Sequence, residues 1–152
     1  MTMNSINVSV AKRTVYIGLA YAILGLLAGM FNVWFARGYG FEGSSALSTV
    51  HTHLLMLGMT FNLLAGVVIS QLEMPRDAVV KTYCAVFNLG VVTAAFSQLW
   101  RGVHEVRGTD FSMLVEWYEP AIRATAGIGH GLIGVGLIIF FIGAVKAVRG
   151  LE

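Results

Sequence analysis

The sequence predicts an all-α fold, an integral membrane four-helix bundle with up-down connectivity. Three observations carry this. Of the 152 residues, 57% are hydrophobic and only 12% charged, about half the charged share of an ordinary soluble domain. The mean hydropathy is +0.75. The apolar residues fall into four runs, each near the roughly 20 residues that cross a bilayer. Those runs and their short connections use nearly the whole chain, so 1–152 reads as a single transmembrane domain.

The first span is expected over about 14–37, TVYIGLAYAILGLLAGMFNVWFAR, directly after Lys12 and Arg13. It is longer than a signal-peptide core and lacks a small-residue cleavage site at its end, so it reads as a retained helix. A connection with Gly38, Gly40, Gly43 and Ser44 leads to the second span, about 47–72. In the turn EMPRD, Pro75 stands where a helix can begin. The third span follows at about 79–101. The longest connection comes next, and its residues 110–119 read as a short amphipathic segment on the surface. Pro120 opens the fourth span, about 121–147.

Charge gives the orientation. Lys12, Arg13, Arg76, Lys81, Lys146 and Arg149 fall on one side. Arg37, Arg101, Arg107 and Arg123 fall on the other, with Glu42, Glu105, Asp110, Glu116 and Glu119. The positive-inside rule then predicts a multi-pass protein of the cell membrane with both termini in the cytoplasm. The net charge of +2 includes no basic cluster of the kind nucleic acid requires. The single cysteine, Cys84, allows neither a disulfide framework nor a thiolate cage. It lies toward the end opposite every histidine, which excludes a Cys–His nucleophile.

Small residues recur at helical spacing. Gly18, Ala22, Gly25, Gly29, Asn32 and Ala36 share a face of the first span. Gly90, Thr93, Ser97 and His104 do so in the third, and Gly127, Gly131 and Gly134 in the fourth. In lipid such faces let backbones approach closely. They favour tight packing within the bundle, or between copies in a homo-oligomer, and they leave room for a flat cofactor.

All four histidines, His51, His53, His104 and His130, fall toward the outer side. Ionisable side chains inside a span are costly and mark functional sites. His51 and His53 are about 200° apart around a helix, so one regular helix cannot aim both at one ligand. His51 shares its face with Gly58 and Asn62, and His53 with Leu57 and Thr60. Gly58 leaves a gap below His51, which makes that face the better cofactor wall. In an up-down bundle the second and fourth spans are diagonal, so His51 and His130 can point inward from opposite sides. This pair is expected to ligate b-type haem (heme b), and Arg123 to pair with a propionate. Such a protein would serve electron transfer or bind a small gas (NO or O2), with a redox partner or quinol.

Arg101 and Arg107 could also serve the propionates, and Trp100, Trp117 and Tyr118 lie near the same boundary, where aromatic side chains form a belt. The alternative is copper or zinc held by the wider set His51, His53, His104 and His130, with Met30, Met56, Met59 and Met113 as soft donors. That reading includes metal transport. A third is a structural or assembly protein without a cofactor, its histidines joining helices.

The segment HTHLLMLGMTFNLLAG, residues 51–66, resembles the second helix of haem–copper oxidase and nitric oxide reductase catalytic subunits, and of NnrS-like haem membrane proteins. The resemblance implies a low-spin haem ligand at His51 and room beside the porphyrin at Gly58. RATAGIGHGLIGVG, residues 123–136, offers His130 in a similar setting. The chain departs from the oxidases in having about four helices rather than about twelve. As a whole it resembles a small bacterial four-helix membrane family of unknown function.

Overall fold

A computed structural model describes residues 5–72, 74, 78–108 and 117–150, with the side chains of 5–11 and 78 left aside. Pro75, Arg76, Asp110, Met113, Glu116 and most of the expected amphipathic segment lie outside the described residues.

The architecture is an all-α four-helix bundle whose helices are long and apolar enough to span a membrane. Helix α1 covers Ser5–Gly38. The second span is continuous but changes character along its length: α2, Leu47–Thr52, passes into a π-helical segment η1, His53–Phe61, and then into α3, Asn62–Gln71. Helices α4, Ala78–Val106, and α5, Tyr118–Arg149, complete the set. In hydrocarbon every backbone N–H and C=O must be satisfied internally, so uninterrupted apolar runs become helices.

The four helices do not form a square. The second span and α4 make the central pair, with α1 packed along the second span and α5 along α4. Helices α1 and α5 share no substantial packing, and α4 is the most buried of the four.

Glycine decides two of the close seams. A Cβ on Gly90 would lie 2.6 Å from the Ile133 nitrogen and 2.8 Å from the Gly129 oxygen. One on Gly129 would lie 2.6 Å from the Ala94 nitrogen, so α4 and α5 touch backbone to backbone. On α1, a Cβ at Gly18 would meet Leu63 at 3.0 Å, and one at Gly25 would meet Leu55 at 2.7 Å. The stripe of α1 therefore faces the second span. On α5 the packing glycines are Gly129, Gly136 and Gly143, whereas Cβ atoms on Gly127, Gly131 and Gly134 would meet nothing within 4 Å.

Polar and aromatic groups tie the central pair. Buried Asn62 and half-buried Asn88 exchange amide hydrogen bonds, Asn62 Nδ2 to Asn88 Oδ1 at 3.1 Å and Asn88 Nδ2 to Asn62 Oδ1 at 3.2 Å. Tyr21 of α1 donates to the Asn88 carbonyl at 3.4 Å. On the other side of this level, Phe61 stacks on Phe87 and meets Phe140, with Tyr83 against both of the latter. At one end of the bundle, Glu105 accepts from Arg101 Nε at 2.7 Å and from the Ala46 backbone at 2.6 Å. It thereby pins the 39–46 connection to α4.

Candidate functional site

The site follows from the order of the helices. Because α1 covers one flank of the second span and α5 approaches the other, the two histidines of HTH are separated. His51 lies against α1, where Gly29 faces its ring. His53 lies against α5, its ring centroid 5.6 Å from that of His130, with the planes at 87°. The structure thus brings His53 to His130, where the sequence reading paired His51 with His130. The reason is geometric: in a square bundle a diagonal helix is reached through the core, but here α5 reaches the second span from the side.

Both imidazoles of the pair are held in the same way. His53 Nδ1 lies 3.1 Å from the Thr49 carbonyl oxygen, and His130 Nδ1 lies 2.8 Å from that of Ala126. Each carbonyl is four residues earlier on the same helix. A carbonyl only accepts, so Nδ1 carries the hydrogen in both rings and Nε2 presents a lone pair. Fixing one ring nitrogen in this manner is how proteins aim a histidine at a metal. Gln98 of α4 supplies the third wall: its Nε2 donates to His53 Nε2 at 3.0 Å, while its buried Oε1 has no hydrogen-bond partner among the described residues. Helix η1 begins at His53 itself. Single π turns inside α-helices recur at functional sites.

The remaining candidates are dispersed. His51 is half-buried, and its buried Nδ1 has no hydrogen-bond partner among the described residues. His104 packs between the rings of Trp100 and Tyr118, at 5.7 and 5.3 Å. Gly58 leaves no gap for a ring, because a Cβ there would run into the ring of Tyr21, which already fills the space. Arg123 is exposed and engaged by Glu119, with Arg123 Nη2 2.5 Å from the carboxylate. Met30 and Met56 are exposed. Among the described residues no three His, Cys, Asp or Glu side chains gather at metal-binding distances.

Gln98, Asn88 and Tyr21 were absent from the sequence-based site. The first two could have been found by the rule applied to histidine, since an amide inside an apolar span also demands a partner. Tyr21 carries no such signal.

The open glycines complete the setting. His130 is exposed on α5, flanked by Gly127, Gly131 and Gly134, whose faces meet no other atom within 4 Å. Two imidazoles on opposite sides of one iron hold their ring centroids about 6.3 Å apart, from a metal–nitrogen bond of about 2.0 Å and about 1.15 Å from nitrogen to ring centre. The observed 5.6 Å is therefore about 0.7 Å short of a trans pair. It corresponds to an angle of about 125° at a bare ion. The donor set would suit haem only if α5 stood farther out, and Gly127, Gly131 and Gly134 leave open space beside His130.

Over residues 11–147 the chain matches a protein family described as "Protein of unknown function (DUF2871)". No curated protein and no solved structure matches significantly. The local likeness of residues 51–66 to oxidase and NnrS-like helices has no counterpart among these matches.

Proposed function

The chain belongs to the DUF2871 family, and from that premise we propose that it is a membrane b-type haem protein with His53 and His130 as the axial pair. One observation carries the reading: two imidazoles from different helices meet at 5.6 Å inside apolar spans, each with Nδ1 anchored to its own backbone, so that Nε2 is the nitrogen each could offer a metal once Gln98 releases that of His53. Ionisable side chains inside a span mark functional sites, and two imidazoles in ring contact are a donor set that would suit a metal-centred group. Haem held by two histidines supplies one-electron transfer.

The chain's own groups do the rest. Thr49 and Ala126 carbonyls fix the tautomers. Gln98 holds His53 Nε2 and would have to release it for that nitrogen to ligate a metal. Gly127, Gly131 and Gly134 keep the α5 face low. Arg123 is available to a propionate only by leaving Glu119, whereas Arg101 is held by Glu105.

A second reading, bare copper or zinc, is favoured by the short ring separation and by Gln98, whose Oε1, without a hydrogen-bond partner among the described residues, would be a third ligand atom close by. One experiment separates the two. Protein purified in detergent and reconstituted with haem is examined by absorption, oxidised and dithionite-reduced, with metal analysis on the same sample. The haem reading expects a Soret band and sharp α and β bands that disappear in His53→Ala and in His130→Ala and persist in His51→Ala. Stoichiometric copper or zinc with no Soret band establishes the second reading. If neither group binds, the pair is glue between helices and both readings fall.

A further inference from the structure

The opposite flank of the second span holds a separate space. Between α1 and the α2–η1 segment lies an open cavity of about 550 Å³, bounded among others by Gly25, Gly29, Met30, Trp34, Arg37 and His51. That volume is within the range of small-molecule sites. The walls are apolar apart from Arg37 and His51. Gly29 lies beside the imidazole, where a Cβ would stand 3.7 Å from the His51 ring.

His51 differs from the other two imidazoles of this region. Its Nδ1 is buried without a hydrogen-bond partner among the described residues. An orphaned buried N–H is rarer than an orphaned lone pair, so the ring hydrogen belongs on Nε2. Nε2–H is then the donor that His51 can offer to an occupant, and the occupant must carry an acceptor.

Depth selects the chemistry. Gly29, level with His51, and Arg37 are eight residues apart on α1, about 12 Å along the axis. A phospholipid whose phosphate sits at Arg37 presents only methylenes at the level of His51. An apolar ring with carbonyl oxygens carries an acceptor to that depth.

We propose that this cavity binds the ring of a membrane quinone, with one carbonyl accepting from His51 Nε2–H. Trp34 stands beside the ring, and Arg37 is the cation within the same walls. Binding needs no haem. Its purpose rests on the haem reading, because a quinone at His51 and an iron at His53 would occupy opposite flanks of one helix.

The test uses the full chain in lipid nanodiscs, titrated with decylubiquinone while tryptophan fluorescence is followed. Quinones quench nearby indoles, so saturable quenching is expected that disappears in Trp34→Phe. His51→Leu should weaken the apparent Kd by about tenfold, the loss of one good hydrogen bond, and His51→Gln, which keeps a donor, should recover part of it. Thermal unfolding of each variant separates lost binding from lost fold. Non-saturable quenching equal in Trp34→Phe, saturable quenching unchanged by His51→Leu, or full displacement by an anionic phospholipid at equal mole fraction would overturn the proposal. His53→Ala is expected to leave the titration unchanged while removing haem, so the two readings fail separately.

Discussion

The asparagine rung is the feature whose removal should say most about how the site is positioned. Asn62 is 2% exposed and joined to Asn88 by two amide hydrogen bonds, while each Nδ2 also donates to its own helix, to Gly58 O at 2.6 Å and to Cys84 O at 2.8 Å. Asn62→Leu removes both cross-bonds and leaves Asn88 Oδ1 without a donor, although Asn88 Nδ2 keeps Cys84. Side-chain hydrogen bonds between membrane helices average about 0.6 kcal/mol and reach about 1.7. The two bonds together should therefore be worth about 1–3 kcal/mol. Asn88→Leu should cost a similar amount. The double substitution orphans no amide, so it should cost less than the sum, with a coupling energy of about 1–2 kcal/mol. The assay is reversible unfolding of all four proteins in mixed micelles with increasing dodecyl sulfate, followed by circular dichroism. A coupling energy below about 0.3 kcal/mol, within the scatter of independent sites, would refute the claim that this pair sets the register of the central helices.

Other outcomes follow from the same contacts. Gly90→Ala should destabilise by about 1–3 kcal/mol, because its Cβ would meet α5 backbone at 2.6 Å, whereas Gly131→Ala, facing open space, should stay within about 0.5 kcal/mol; thermal unfolding in detergent reads both. Gly58→Ala should destabilise the α1 seam through Tyr21 yet leave the haem-to-protein ratio of the folded fraction unchanged, as measured on a size-exclusion peak. Gln98→Leu should lower the stability of the empty protein by about 1 kcal/mol while haem uptake is retained, since His53 Nε2 loses its donor but not its aim. A Gln98→Leu protein that no longer takes haem would make the amide a ligand or a positioning group in the loaded state.

The spans were legible because hydropathy is a local property, and every backbone group in lipid must close its own hydrogen bond. The ends were less so. The third span was expected to stop near 101, yet α4 continues to Val106, and α5 begins at Tyr118 rather than near 121. Charged residues end a hydropathy window without ending a helix, and Arg101 with Glu105 is an i,i+4 pair that supports one more turn. What spacing could not decide was which face meets a neighbour. Helix α5 carries two glycine sets, and the one with the cleaner spacing, Gly127, Gly131 and Gly134, is the open one. Only the helix order identifies Gly129 and Gly136 as the seam.

The same limit governed the histidines, and the helix order removes it. With α1 packed along the second span and α5 meeting it through His53 and Phe61, the separation of about 200° between His51 and His53 assigns each to a different environment. His53 meets Gln98 and His130, and His51 meets Gly29 and an open cavity. The rungs below fix that assignment. Asn62 is nine residues past His53, and Asn88 is ten before Gln98, so two antiparallel helices bring both pairs into register over about 13–15 Å. Sliding α4 by one turn would break the asparagine rung and withdraw Gln98 from His53 together. The polar pair at mid-span is thus a positioning device for the site above it. The π segment that starts at His53 and ends beside Asn62 lies between the two fixed points, where local rewinding would rotate the histidines without moving the rung.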